Sequence, residues 1–288
     1  MGWLTDWIVD WLRELFIGGI MSNLGGLFDN VNNQVGEIAT TVGMTPGAFN
    51  PGVFTLIRTL SETVVLPVAG LLLTFVMTWE LIQLIIDQNN LHQVDTWIFF
   101  KWVFKTMIAV LFLTNTFNIV MGIFDVSQHV VNNAAGLIGG STAVTMDMLA
   151  TFEAELIAME LGPLLGLWLQ SFLIQIIVHA LNIVVFIIVY GRMIEIYILT
   201  SLAPLPMATM TNREMSGMGQ NFLKSLIAVG FQGLLIMVCV AIYAVLVQSI
   251  VTSGDPISSI WLAISCTVLL CFTLFKTGSI SKSIFGAH

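Results

Sequence analysis

The sequence predicts an all-α fold: a polytopic transmembrane helical protein with about five spans and amphipathic interfacial helices beside them. Three observations predict it. Of 288 residues, 57% are hydrophobic and only 9% charged, against about 25% charged in a soluble domain. Four runs reach the roughly 20 apolar residues needed to cross a hydrocarbon core of about 30 Å, and a fifth, 258–276, is marginal. The basic residues fall between those runs in alternation, as short cytoplasmic loops require.

Residues 1–62 form an expected extracytoplasmic and interfacial region. Within 3–17, Trp3, Trp7 and Trp11 recur every four positions, and Leu4, Ile8, Leu12 and Leu15 continue the apolar arc. Asp6, Asp10, Arg13 and Glu14 fall on the other side. This is the pattern of a helix lying in the interface with its indoles at headgroup depth. It suits an anchor or a partner-binding helix. The acids stand where a signal peptide carries basic residues, so no cleavable signal is expected. Residues 22–52, rich in Gly and Asn, are expected to form a polar outer region.

The membrane domain is expected over 63–276, with spans at 63–87, 97–124, 163–190, 221–250 and 258–276, and a short cytoplasmic tail over 277–288. Asp95 is a plausible cap of the second span, and Pro163 and Pro256 open the third and fifth. Lys101 and Lys105 mark the first inner turn, Arg192, Arg213 and Lys224 the second, and Lys276 and Lys282 the C-terminus. The 125–162 connection has no basic residue and five acids. This places the N-terminus outside and the C-terminus inside a bacterial cytoplasmic membrane. Within that connection, Met148, Phe152, Leu156 and Met159 share a helical face, while "VNNAAGLIGGSTA" before them is expected to be a cap or re-entrant segment sheltered by protein.

Several chemistries are disfavoured. A net charge of −8 with no basic patch argues against direct, stable nucleic-acid binding. Cys239, Cys266 and Cys271 lie in apolar runs without ligand spacing and act as small hydrophobes. The four histidines, His92, His129, His179 and His288, do not cluster in sequence. No GxSxG, HExxH or Walker motif occurs. No enzyme activity, catalytic residue, metal site or cofactor is expected.

The polar groups inside the spans are therefore the candidate sites. Ser171, Gln175, His179 and Asn182 form one stripe on the third span, which suits interhelical hydrogen bonding or a hydrated conduit. Glu80, Gln83 and Asp87 share a stripe on the first, with Lys101 or Lys105 as a possible partner for Glu80. Gly162 and Gly166 permit close helix contact. Arg192 and Glu195, three residues apart, can pair locally or Arg192 can snorkel to the headgroups. Pro204 and Pro206 end that helix, since neither donates a backbone hydrogen bond. Residues 191–221 then read as one cytoplasmic-side connection, partly embedded.

The block "RMIEIYILTSLAPLPMATM" (192–210), followed by a polar turn and "NFLKSLIAVGFQGLLIMV", resembles the TrbL-like polytopic inner-membrane subunits of conjugative type IV secretion systems, of the kind carried by Gram-positive integrative conjugative elements. "FNPGVFTLI" and "SISKSIFG" share the resemblance, which spans nearly the whole chain. It implies a membrane-platform or channel scaffold subunit taking part in DNA and protein transfer. Its implied partners are membrane lipid, copies of itself, other secretion subunits and separate ATPases that supply the energy. A small-solute secondary transporter or channel is the alternative, since a proline-broken helix with polar stripes suits one. A holin-like lytic protein is a third reading.

Overall fold

The computed structural model describes residues 2–86, 96–138, 146–251 and 256–287, and among these it is helical with no strand. Five helical stretches are long and apolar enough to cross a membrane: Pro51–Ile86, Trp97–Thr114, Leu161–Leu202, Ser216–Val247 and Ser258–Phe285. The chain is thus an all-α polytopic membrane protein, as its composition predicts. Asp87, His92, Asp95 and His288 lie outside the described residues.

The N-terminal region departs from expectation. Instead of a short interfacial helix and a polar outer region, α1 runs unbroken over Gly2–Val42. Packing overrides its weak propensity, because Phe16, Ile20, Leu24, Leu27, Ile38 and Val42 form a buried face and burial of such a face carries most helix stability in proteins. Trp7 and Trp11 are exposed, at 64% and 52%, as an interfacial anchor would be. Trp3 lies within α1, and its side chain is outside the described set.

After two short capped helices begin, α2 (Pro46–Phe49) and α3 (Pro51–Leu60), the chain enters α4 (Leu66–Ile86) through a π turn at Ser61–Val65. Thr45 and Asn50 cap the first two, and each is followed by a proline at the first helical position. The π turn follows from Pro67. A proline removes an amide donor and its ring crowds the carbonyl four residues back. The ladder here shifts so that the Leu66 amide donates to Ser61 O.

The second expected span is divided. α5 covers Thr96–Thr114 and α6 covers Thr116–Ile138. At the junction Asn115 donates through Nδ2 to Leu111 O at 2.9 Å, a side-chain bond that competes with the backbone ladder. α6 also carries the helix through 131–138, where a broken cap was expected. Residues 139–143 of that expected cap lie outside the description. α7 (Met146–Ile157) buries Phe152 and Leu156 as the amphipathic pattern requires.

The third span is far longer than 163–190. α8 runs over Leu161–Leu202, 42 residues, and the prolines still stop it: a turn at Ala203 leads into the short α9, Pro204–Thr209. α10 (Ser216–Val251) and α11 (Pro256–Phe285) complete the chain. α9 is embedded in the protein, in keeping with a partly embedded connection. Its Ala208 is fully buried in a cluster with Ala69, Leu73 and Met77 of α4 and Ala109 and Leu113 of α5, so the proline segment packs on the apolar middle of α4.

Two compact units emerge: 1–43, 130–190 and 234–277 form the first, and 44–129, 191–233 and 278–288 the second. In the first, α1 lies along α8, with Phe16, Ile20 and Leu24 in one core with Leu164, Leu167 and Ile174. In the second, α4 and α5 pair side by side. Lys105 forms an ion pair with Glu80, whose carboxylate is largely buried, and Trp102 Nε1 donates to Met77 O at 3.1 Å.

Candidate functional site

The most polar buried point of the second unit is built on α8, one turn past Ile188. Arg192 is 3% exposed. Its Nε donates to Val229 O and its Nη2 to Gly230 O of α10, both at 3.0 Å. A guanidinium presents its donors in a fixed planar fork, so two successive carbonyls hold it in one orientation. Around it pack Val120 and Phe124 from α6, Met193 and Ile196 from α8, and Leu226 from α10.

Neighbouring side chains use the same stretch of α10. Ser281 of α11 donates to Ala228 O at 2.5 Å, so three consecutive carbonyls, 228 to 230, each take a side-chain donor. On α6, Ser127 is fully buried and donates back to Ile123 O. A Cβ placed on Gly230 would stand 2.5 Å from Ser127 Oγ, so only glycine lets α6 and α10 approach this closely. Gln232 lies against Gly278 of α11 in the same way, 3.3 Å from where a Cβ would be.

The local Arg192–Glu195 pair expected from the sequence does not form, and Arg192 does not snorkel. Three residues along a helix turn through about 300°, which here sends Arg192 into the bundle and Glu195 to its edge. Glu195 instead pairs with Lys282 of α11 at 3.0 Å, both partly exposed, a contact worth about 0–1 kcal/mol. Pro204 is buried and Pro206 half-buried. Asn212 then organises the turn into α10: its Oδ1 accepts from the amides of Glu214 and Met215.

The third-span stripe splits. Asn23 Nδ2 donates to Ser171 Oγ at 2.7 Å, and Gln175 Nε2 reaches Asn23 O at 3.4 Å. These two positions therefore bond α8 to α1. Asn182 faces a cleft beside α1, and His179 is exposed. Gly162 and Gly166 meet nothing within 4 Å of an added Cβ, whereas Gly19 and Gly26 of α1 lie directly beneath Trp168 and Gln175. The close contact lies in a segment read as a polar outer region.

Other contributors carry little sequence signal. Ser127, Ser281 and Asn23 are ordinary polar residues on apolar helices. Tyr197, whose hydroxyl donates to Pro46 O at 2.7 Å, reads as one more apolar position. The glycine pair flanking Gln232 in "GFQG" was the available hint. Among the described residues no group of three His, Cys, Asp or Glu could hold a metal ion. The site offers a fixed, buried cation clamped between helices.

The family model for TrbL/VirB6 plasmid conjugal transfer like protein matches residues 31–204, more than half of the chain. The chain belongs to the TrbL/VirB6 family. The family match takes in the end of α1 and α2 to α8 and ends on Pro204, so it includes Arg192 and Glu195. The α10 carbonyls and Lys282 that hold those two residues lie beyond it. No curated protein and no solved structure matches the chain. Membership makes this TrbL/VirB6 protein a membrane component of conjugal transfer and type IV secretion.

Proposed function

We propose that this TrbL/VirB6 chain is a platform subunit of a conjugative type IV secretion system that associates with copies of itself, works beside separate ATPases and takes part in moving the substrate. One observation carries the self-association. α6 exposes Asn118, Asp125, His129 and Asn132 at spacings that fall on one stripe, whereas α4, α8 and α11 expose Leu, Ile and Phe. α6 is not among the membrane-length helices, and a polar stripe on a helix beside the spans suits contact with another chain. Cysteine placed at Asp125 is expected to cross-link into dimers and larger species in native membranes. A species that stays strictly monomeric, both there and after mild extraction, would overturn the assembly.

The proposed orientation keeps the N-terminus outside and the C-terminus inside. Lys101 and Lys105 flank one connection, Arg192, Arg213 and Lys224 another, and Lys276 and Lys282 the C-terminus, while 125–162 carries no basic residue, an alternation of the kind that sets topology. A tag inserted at the exposed Arg213–Glu214 turn is expected to be reached only in permeabilised cells. Reaching it from outside intact cells would reverse the orientation.

A further inference from the structure

The first turns of α1 stand clear of the core that holds the rest of the helix. Leu12 packs against that core from its edge, and Phe16, Ile20 and Leu24 follow within it. Two stripes lie side by side on the exposed surface of residues 6–15. Trp7, Trp11 and Leu15 form one, at 64%, 52% and 47% exposure. Asp6, Asp10 and Glu14, all exposed, form the other. Within each stripe the residues stand four apart, close to one helical turn, and the two stripes are offset by one residue, or about 100°.

An apolar face this open marks a surface that another molecule covers, and the carboxylates decide which kind. Helices that lie on lipid carry Lys and Arg on the polar side. Here that side carries three acids, and the one nearby cation, Arg13, is half-buried with its Nε enclosed. Anionic lipid is repelled by such a face, whereas a protein segment bearing Lys or Arg is drawn to it. Ridges of residues four apart are what one helix offers to the grooves of another, and tryptophan is enriched where binding energy concentrates.

A second copy of this chain does not supply the cations. Arg58, Lys105 and Lys282 are held by Glu62, Glu80 and Glu195, and Arg192 is clamped on α10. In the proposed orientation Lys101, Arg213, Lys224 and Lys276 mark the side of the membrane opposite the start of α1. We propose that residues 6–15 are the docking face for a basic amphipathic helix of a different protein. Its apolar ridge covers Trp7, Trp11 and Leu15, and its Lys or Arg residues lie against Asp6, Asp10 and Glu14. This assignment rests on the platform reading only for the side on which α1 begins. Its test reads contact at α1 rather than assembly through α6, so the two fail separately.

The test is photo-cross-linking of the full chain in its native cells, with a benzophenone amino acid at Trp11 and, as control, at Leu71 of α4, which is 74% exposed. Irradiation at Trp11 is expected to give a discrete adduct with a protein other than this chain, absent at Leu71, whose linked peptide carries Lys or Arg. Asp10→Lys with Glu14→Lys should lower the yield by about tenfold or more, as like charges facing across an interface do. Changing the partner's basic residues to Glu should restore it, which a misfolded variant would not allow. An adduct with phospholipid alone would make the segment a lipid anchor and overturn the docking face. So would an adduct with a second copy, or no adduct at all. A yield unmoved by the charge reversal, or not restored by the exchange, would overturn the charge pairing.

Discussion

Arg192→Lys is expected to damage this protein more than Arg192→Met, although lysine keeps the charge. The reasoning follows the fork on α10. Lysine's ammonium is a compact point charge on a flexible stem, and it cannot span two carbonyls with fixed parallel donors. It therefore surrenders one charge-assisted hydrogen bond, worth about 1.5–3 kcal/mol. It still bears the full cost of holding a cation away from water, in a pocket where Arg192 is 3% exposed. Methionine fills most of the same length and removes the buried charge together with its bonds. The carbonyls of Val229 and Gly230 keep their own intrahelical amides, so neither of these two acceptors is stranded, and a swap of this kind costs under about 1.5 kcal/mol. Thermal unfolding in detergent should thus rank wild type, then Met, then Lys, with the Lys variant lower by roughly 2–3 kcal/mol. Mating efficiency separates structure from function: if the fixed cation matters for transfer, the Met variant assembles but transfers poorly. A Lys variant as stable as wild type would show that the bidentate grip on α10 is not what secures α8.

How much of this was legible beforehand depended on whether the signal was local. The spans were, because an uninterrupted apolar run has one meaning at bilayer length, and Pro204 and Pro206 stop α8 whatever surrounds them. A partner for Glu80 in Lys101 or Lys105 was also readable, since all three lie near one connection, and the structure selects Lys105. α1 was not. Residues 22–42 are rich in Gly and Asn and carry weak helix propensity, and they are helical because Gly19 and Gly26 let Trp168 and Gln175 sit against the backbone. That requirement appears only once α8 is beside them. Arg192 shows the same limit. Its three-residue spacing from Glu195 suggests a local pair, but the partners that hold it, Val229 and Gly230, are 37 and 38 residues away and are backbone atoms, which no residue type announces. The two polar stripes were visible as periodicities; which helix each one meets is tertiary information.

Gly219→Val is expected to be the most disruptive single substitution in the turn that follows α8. α9 ends at Thr209 and α10 begins at Ser216, so the chain reverses within a few residues and brings the first turn of α10 back onto α9. At the crossing, a Cβ on Gly219 would stand 2.7 Å from Pro206 O and would collide with the Met210 side chain. Met210 could move. The Pro206 carbonyl could not, because it belongs to a short helix whose Ala208 is locked among Ala69, Leu73 and Ala109, and it also accepts from Thr209 Oγ1 at 2.8 Å. Relief therefore requires α9 to lift from the α4–α5 pair, which opens a cluster of apolar contacts in addition to the clash itself. Overpacking usually costs about 1–3 kcal/mol, and a β-branched residue against a fixed carbonyl belongs at the upper end or above it. Gly219→Ala should show the same effect in milder form. Gly217, two residues earlier and with nothing within 4 Å of an added Cβ, should tolerate alanine with no loss and a small gain in helix propensity. Protease sensitivity of the 210–216 turn in isolated membranes reads this out directly: it should rise sharply in Gly219→Val and stay at the wild-type level in Gly217→Ala. Equal sensitivity in the two variants would mean that α9 does not sit beneath α10, and the buried position assigned to the proline segment would fall with it.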